Sequence, residues 1–157
     1  MVAMSDDNDN FVWYSAGLHF ECLQCGRCCS GPVEGYIWVK RPETQLIAKY
    51  LNISVRELKR NFLRRVGLSR TIIEDVHTRD CIFLRRGDKG KECSIYSVRP
   101  SQCRNWPFWP YNLAGPDSWN LAARKCPGIN RGAHYGPGEI QAKANNKRWW
   151  RNDSTKY

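Results

Sequence analysis

The strongest chemical signal in the sequence is a cluster of four thiols within eight residues, Cys22-Leu-Gln-Cys25-Gly-Arg-Cys28-Cys29. A two-residue spacing between cysteines lets both thiolates of a tight turn point at one ion. Gly26 allows the positive φ that such a turn needs, with peptide N–H groups facing the sulfurs. Disulfides or inert core thiols would not require this spacing. The cluster therefore predicts a metal site.

The chain has eight cysteines, and we expect all of them to bind metal; the other four are Cys81, Cys93, Cys103 and Cys126. Cys22, Cys25 and Cys28 follow the C-x2-C-x2-C spacing of an iron–sulfur site, and Cys126 before a proline resembles the remote ligand of bacterial ferredoxins. Neighbouring side chains tend to diverge, which separates Cys29 from Cys28. We therefore assign Cys29 to a second four-thiolate site, together with Cys81, Cys93 and Cys103.

The donor set limits the metal. An all-sulfur tetrahedral site suits zinc or iron. The sequence thus predicts zinc or iron, with a [4Fe–4S] cluster as one form, at one or two sites. His19 lies three residues before Cys22 and is a further candidate ligand, although two complete cysteine sites need no histidine.

Four blocks of the sequence, in this order, resemble the YkgJ-type CxxCxxCC cysteine-cluster family. They are Cys22-x2-Cys25-Gly-x-Cys28-Cys29-Ser30, Cys81-Ile-Phe-Leu84, Cys93-Ser-Ile-Tyr-Ser-Val-Arg-Pro100 and Gln102-Cys103-Arg104-Asn-Trp106-Pro-Phe108. The family is described as zinc- or iron-chelating, so the resemblance implies metal chelation through these cysteines. A lysine methylase acting on flagellin is similar in its cysteine motif. That similarity implies an iron–sulfur-dependent redox or methyl-transfer enzyme as an alternative.

Composition indicates one globular domain of 157 residues with 41% hydrophobic and 12% aromatic residues. We expect residues 1–10 to be a disordered acidic lead and residues 11–157 to form the cysteine-cluster domain. No apolar run approaches the roughly 20 residues that cross a bilayer, and the polar start is unlike a signal peptide. These features predict a cytoplasmic protein without a membrane partner. In a reducing compartment, eight cysteines favour metal ligation over disulfides, which remain an alternative.

The formal charge of +10 raises nucleic-acid binding as a second alternative. The basic residues form two groups: Arg56, Lys59, Arg60, Arg64, Arg65 and Arg70 on one predicted helix face, and Lys143, Lys147, Arg148 and Arg151 near Trp149 and Trp150. An acidic partner or RNA could use such faces, with metal only as scaffold. However, eight thiolates bound to two divalent ions would remove four of these positive charges. Chelation therefore ranks above RNA binding.

Two further sets of residues lie inside the cysteine motifs. Arg27 and Arg104 could offset the negative charge of metal-bound thiolates, or form structural ion pairs with Glu21 or Glu92. The aromatic run of Trp106, Phe108, Trp109 and Tyr111 is expected to pack over the metal site and exclude water, with a stacking platform as the alternative. The usual nucleotide, zinc-protease and serine-hydrolase motifs are absent. The sequence therefore leaves open whether the protein is an enzyme.

The helices and strands that must position the cysteines are predicted to be short. The predicted fold class is α+β. Pro42 suits the first turn of a helix with Leu46, Ile47, Tyr50 and Leu51 on one face. Ser54-Val-Arg-Glu57 is a capping box that begins a helix over 55–66. We expect strands at Tyr36–Val39, Thr71–Val76, Cys81–Arg86 and Cys93–Val98, the last two forming a hairpin. Further helices are predicted at Ser118–Lys125 and Glu139–Trp150, and His77 and His134 are placed in loops.

Overall fold

A computed structural model describes residues 12–88 and 90–145, and the fold is α+β as predicted. Its helices are α1 (Arg41–Tyr50), α2 (Val55–Asn61), α3 (Ser101–Asn105), α4 (Pro116–Lys125) and α5 (Pro137–Ala144). Its strands are β1 (Leu18–Phe20), β2 (Leu63–Val66), β3 (Ser69–Ile72), β4 (Leu84–Gly87), β5 (Gly90–Cys93) and β6 (Ala133–Tyr135). Among these residues, no helix has the length and apolar character needed to cross a membrane.

One hydrophobic cluster joins the two ends of the described chain. β1 pairs antiparallel with β6, with Leu18 opposite Tyr135. Beneath this pair, the ring of Phe108 stacks on Trp119 of α4 at 5.8 Å between centroids. Ile140 of α5 is fully buried in the same cluster. This packing fixes the direction in which the chain enters Cys22 and leaves α4.

A second hydrophobic cluster is formed by α1, α2, the β2–β3 hairpin and the loops around β4 and β5. Its most deeply buried side chains are Ile47, Leu58, Phe83 and Ile95. The stacked rings of Phe62 and Phe83, 5.3 Å apart, connect α2 to the segment that precedes β4. This cluster anchors the hairpin that carries Cys93.

Two buried polar side chains connect α3 to the rest of the second cluster. Glu43 of α1 accepts a hydrogen bond from the Ser101 amide at 2.7 Å and one from the Lys40 amide at 2.8 Å. Gln102 accepts from the Trp38 amide at 2.8 Å and donates to the Tyr36 carbonyl at 2.8 Å. Because these bonds replace water for buried groups, they hold the start of α3 and hence Cys103 in place.

Several predicted elements are confirmed. Pro42 lies in the first turn of α1, and Ser54 Oγ accepts a hydrogen bond from the Glu57 amide at the start of α2. A hairpin forms in the predicted region, with Leu84 opposite Cys93. Its second strand is Gly90–Cys93, so the strand predicted at Cys93–Val98 is wrong, and Tyr96–Val98 is a 3-10 turn. The strand predicted at Thr71–Val76 is found at Ser69–Ile72. α4 ends at Lys125, as predicted, and begins two residues earlier than expected, at Pro116.

Other predicted elements differ in extent. The capped helix ends at Asn61 instead of residue 66, because Leu63–Val66 pairs with Ser69–Ile72 across a turn in which Gly67 has a φ of +58°. The segment predicted as a strand at Tyr36–Val39 contains only an isolated bridge, between Trp38 and Thr71. α5 ends at Ala144, and the remainder of the predicted C-terminal helix lies outside the described residues, as does the lead over residues 1–10.

Two predictions about exposure and position are wrong. Leu46 and Tyr50 were expected to face the core beside Ile47, but they are 53% and 51% exposed. α1 instead buries Glu43 and Ala48 along with Ile47. His134 lies in β6, opposite His19, and not in a loop.

Candidate metal centre

The loop of the cysteine cluster has the backbone that its glycine predicts. Gly26 has a φ of +69° and precedes a single 3-10 turn, Arg27–Cys29. A Cβ at this position would lie 2.9 Å from Leu84 Cδ1 and 2.9 Å from Lys91 Cβ. The loop therefore packs directly against the β4–β5 hairpin, in a conformation that favours glycine. Ser30 Oγ donates to the Gly26 carbonyl at 3.0 Å and closes the turn.

The hairpin brings two more cysteines to this loop. Cys93 is the last residue of β5 and faces the cluster. Cys81 precedes β4, and its amide donates to the Cys29 carbonyl at 2.8 Å. This backbone bond fixes the Cys81 segment beside Cys29, although the two are 52 positions apart in the chain.

The last two cysteines arrive from helices. Cys103 lies in α3, and Cys126 follows the last residue of α4. The Glu21 amide donates to the Gly128 carbonyl at 3.1 Å, so the chain just before Cys22 runs alongside the chain just after Cys126. The eight cysteines thus come together from four separate segments of the fold.

Seven of the eight cysteines line one cavity of about 40 Å³ between the two hydrophobic clusters; they are Cys22, Cys25, Cys28, Cys29, Cys93, Cys103 and Cys126. Phe20, Tyr96, Arg99 and Trp106 also form part of its wall. Cys81 does not line the cavity, but its amide is bonded to the Cys29 carbonyl and it affects the pKa of Cys29 and Cys103. All eight predicted residues therefore belong to one region of the molecule.

Cys28 and Cys29 lie together, contrary to the expected divergence. Their Sγ atoms are 3.8 Å apart, because both residues belong to the same tight 3-10 turn. Cys29 is also within hydrogen-bond reach of Cys93. The assignment of Cys28 and Cys29 to different sites rested on their divergence and loses its basis.

The pKa values of Cys28 and Cys93 depend mainly on their neighbour Cys29. Hydrogen bonding from Cys29 lowers the pKa of Cys28 to about 7, and the same bond type lowers the pKa of Cys93 to about 7. The pKa of Cys29 is raised, because its thiol proton is held by these two sulfurs. Burial raises the pKa of Cys81 to about 12 and that of Cys103 well above its ordinary value. The lowered pKa values of Cys28 and Cys93 favour their thiolate forms near neutral pH.

All eight cysteines lie within the described residues, and each is a free thiol. No group of three or more His, Cys, Asp or Glu side chains in residues 12–88 and 90–145 has the mutual spacing of a formed metal site. Holding an ion here would require the sulfurs to move closer together. The exposed positions of Cys22 and Cys28 leave room for such movement.

The arginine beside the thiols is Arg99, which the sequence analysis did not single out. Its Nη1 is 3.8 Å from Cys22 Sγ, and its guanidinium carbon lies 3.6 Å from the centre of the Tyr96 ring. Its positive charge also lowers the pKa of Cys28 and Cys93. A signal existed, since Arg99 lies in the block from Cys93 to Pro100 that carries the family resemblance.

Arg27 and Arg104 do not occupy the predicted place. Arg27 lines a neighbouring cavity, and Arg104 is exposed on α3. In the described part of the chain, neither makes an ion pair with Glu21 or Glu92. The charge-balancing role predicted for them belongs by position to Arg99.

The aromatic run divides between three environments. Trp106 lines the cysteine cavity, as predicted for the whole run. Phe108 is 1% exposed in the first hydrophobic cluster. Trp109 and Tyr111 line the neighbouring cavity together with Trp106. Phe108 therefore does not cover the cysteines, whereas the cavity lined by Trp109 and Tyr111 has Cys28 and Cys126 in its wall.

The histidines lie elsewhere. His19 Nδ1 is 3.0 Å from the Gly132 carbonyl, and its ring faces that of His134 at 5.1 Å. His77 is part of a turn in which its amide donates to Asp75. None of the three lines the cysteine cavity.

The first basic group does not share one helix face. Arg56, Lys59 and Arg60 lie on α2, whereas Arg64, Arg65 and Arg70 lie on the β2–β3 hairpin. Arg64 pairs with Glu34 at 3.2 Å and lies over the Tyr36 ring. Of the second group, only Lys143 lies within the described residues, near the Tyr135 ring. The continuous basic face on which the RNA interpretation depended is therefore not formed by the first group.

Comparison with known proteins identifies a family and a similar relative. The model of the CxxCxxCC family, described as "Putative zinc- or iron-chelating domain", matches residues 21–127, more than half of the chain. The chain is also similar to "Uncharacterized protein MJ0661" of Methanocaldococcus jannaschii, with 31% identity over 143 residues that span 88% of this chain and 71% of the relative. No solved structure matches. The resemblance drawn from the cysteine blocks is confirmed.

Proposed function

Because the chain belongs to the CxxCxxCC family of zinc- or iron-chelating domains, we propose that it holds a single zinc or iron ion in the cysteine cavity. The proposed ligands are Cys28, Cys29 and Cys93, with either Cys81 or Cys103 as the fourth. The observation that carries this proposal is geometric: Cys28 Sγ and Cys29 Sγ are 3.8 Å apart, and both residues line one cavity with Cys93.

The sulfurs of Cys28, Cys29 and Cys93 together make this end of the cavity favourable for a cation. Cys28 and Cys93, each with a pKa lowered to about 7, supply negative charge around the Cys29 thiol. A divalent ion that replaces the Cys29 proton would be bound by all three sulfurs, since thiolates are the form that ligates metal. The donor set fits soft-ligand metals and does not fit calcium or magnesium, which take oxygen ligands.

The sulfur separation supports one ion held by both neighbouring thiols. In a tetrahedral site with metal–sulfur bonds of about 2.3 Å, the sulfurs are about 3.8 Å apart. The 3.8 Å between Cys28 and Cys29 Sγ matches this edge. In a [4Fe–4S] cluster, by contrast, four cysteines serve four irons, so adjacent sulfurs do not share one ion.

Arg99 fits the charge of such a centre. Four thiolates with one divalent ion carry a net charge of −2, which is costly to hold in a partly buried site. The Arg99 guanidinium lies against the Tyr96 ring and next to Cys22 at the cavity wall. Its delocalised charge, weakly hydrated and fixed by stacking, suits this role.

The test is metal content after anaerobic purification of the wild-type chain and two cysteine variants. We expect about one zinc or iron per chain without acid-labile sulfide. Cys29→Ser should lose the metal, because the variant removes the central thiol. Cys25→Ser is the matched control from the same loop and should retain it. Loss of metal in Cys25→Ser and retention in Cys29→Ser would contradict the proposed ligand set.

A second candidate has its own support. Cys22, Cys25, Cys28 and Cys126 all line the same cavity, which is the ligand set predicted for an iron–sulfur cluster. Phe20 and Trp106 form part of the wall and would limit water access to a cluster. Such a centre would make a redox or methyl-transfer enzyme the second candidate function.

The same variants separate the two candidates. A cluster predicts brown protein with iron and sulfide in equal amounts, loss of both in Cys25→Ser and retention in Cys29→Ser. Colourless protein that contains zinc would reject it.

A further inference from the structure

A second cavity, of about 210 Å³, lies beside the cysteine cavity. The two cavities share Cys28, Cys126 and Trp106 as wall residues. The second cavity has about five times the volume of the first. Its other lining residues come from the 3-10 turn and the segment 30–34 that follows it, the aromatic run and the end of α4. Its size is below that of most drug-sized ligand sites, so it suits a small molecule.

Two cationic side chains lie in the wall of this cavity. Arg27 and Lys125 both line it, and neither forms an ion pair in the part of the chain that the structure describes. Glu34 also lines the cavity, but its carboxylate faces Arg64 at 3.2 Å and Arg79 at 4.0 Å. Arg64 and Arg79, which do not line the cavity, therefore neutralise Glu34, and Arg27 and Lys125 remain available to an anion.

The opposite part of the wall is aromatic. The rings of Trp106 and Trp109 are 4.9 Å apart at 83°, and those of Trp109 and Tyr111 are 5.7 Å apart at 66°. Successive rings at steep angles present both faces and edges to a planar group. Trp106 Nε1 is buried and has no hydrogen-bond partner among the described residues.

We propose that this second cavity is a binding site for a small organic anion with a planar or aromatic body, held by Arg27, Lys125 and the Trp106–Tyr111 aromatic wall. The carboxylate or a similar acidic group would lie near the two cations, and the planar body would pack against the rings. A bound anion would lie next to Cys28 and Cys126. The assignment depends only on the cavity and does not require that metal be present.

Benzoate is the probe, and the readout is the indole N–H region of the ¹⁵N spectrum of the full chain as purified. Trp106→Phe assigns the Trp106 signal. We expect saturable shifts of this signal at millimolar benzoate, with much weaker effects from acetate, which lacks the ring, and from benzyl alcohol, which lacks the charge.

One lysine variant and one arginine variant locate the site. Lys125→Gln should weaken benzoate binding about tenfold, because a charge-assisted contact is lost. Arg124→Gln is the matched control, since Arg124 precedes Lys125 on α4, is exposed and does not line the cavity. Benzoate that fails to saturate the Trp106 signal, or equal weakening by both variants, would overturn the proposal. Neither result bears on metal content, so failure here is distinct from failure of the proposed chelation.

Discussion

Replacing Arg99 tests whether the thiols and their surroundings work together as a metal centre. Arg99→Gln keeps a polar side chain of similar length and removes the charge. The guanidinium Nη1 is 3.8 Å from Cys22 Sγ, and its charge reaches Cys28, Cys93 and Cys103. We expect weaker metal binding, because an anionic centre loses its nearby cation.

The size of the effect follows from the distance. Two unit charges about 4 Å apart interact by about 4 kcal/mol at an effective dielectric constant of about 20. The 3.8 Å distance is that from Arg99 to Cys22, which is outside the proposed ligand set, so this energy is an upper limit for the interaction with the centre. Arg99 is only partly buried and solvent screens part of this energy. About 1.4 to 2.8 kcal/mol should remain, which is a 10- to 100-fold loss of affinity, the range found when groups around metal ligands are removed.

The assay is competition between the protein and a chromophoric chelator, for Zn²⁺ and separately for Fe²⁺ under anaerobic conditions. Arg99→Lys should lie between wild type and Arg99→Gln, since lysine keeps the charge and loses the stacking on Tyr96. Affinity in Arg99→Gln equal to that of wild type, with unchanged thermal stability of the metal-free chain, would refute the reasoning.

Three other perturbations have defined outcomes. Gly26→Ala should lower the free energy of unfolding by at least about 1 kcal/mol, measured by denaturant titration, because residue 26 has a φ of +69° and a Cβ there would crowd the hairpin. Gly115→Ala should not lower it, because there is open space around residue 115. Ser54→Ala should destabilise α2 by about 1 kcal/mol through loss of its cap, measured by thermal melting, and no change would count against the cap. The pH dependence of metal affinity, measured by chelator competition, should change near pH 7. Because Cys28 and Cys93 have pKa values of about 7, below this pH both must release a proton when metal binds, so the plot of log affinity against pH should be steeper there by about two. One constant slope would exclude this.

Local signals in the sequence predicted the elements that depend on near neighbours. The Ser54 cap, Pro42 in α1 and the positive φ of Gly26 each follow from one residue and its surroundings. The end of α2 could not be predicted in this way. The spacing of Val55, Leu58, Phe62 and Val66 suits a helix face, but strand pairing of residues 63–66 decides the outcome.

In the candidate site, too, features set by neighbouring residues were predictable and features set by distant contacts were not. Residue type and spacing predicted eight cysteine ligands, and the fold brings seven of these cysteines to one cavity. Their grouping depends on the side-chain directions of Cys28 and Cys29 within a 3-10 turn, which sequence spacing does not specify. Arg99 was missed because its place beside Cys22 is created by contact between segments 77 residues apart.

The central claim, that thiolates including Cys29 surround one ion, is tested most directly by X-ray absorption at the metal edge of the anaerobically purified protein. We expect four sulfur atoms at about 2.3 Å from the metal and no second metal atom nearby. A short iron–iron vector, or a shell dominated by nitrogen and oxygen, would contradict it.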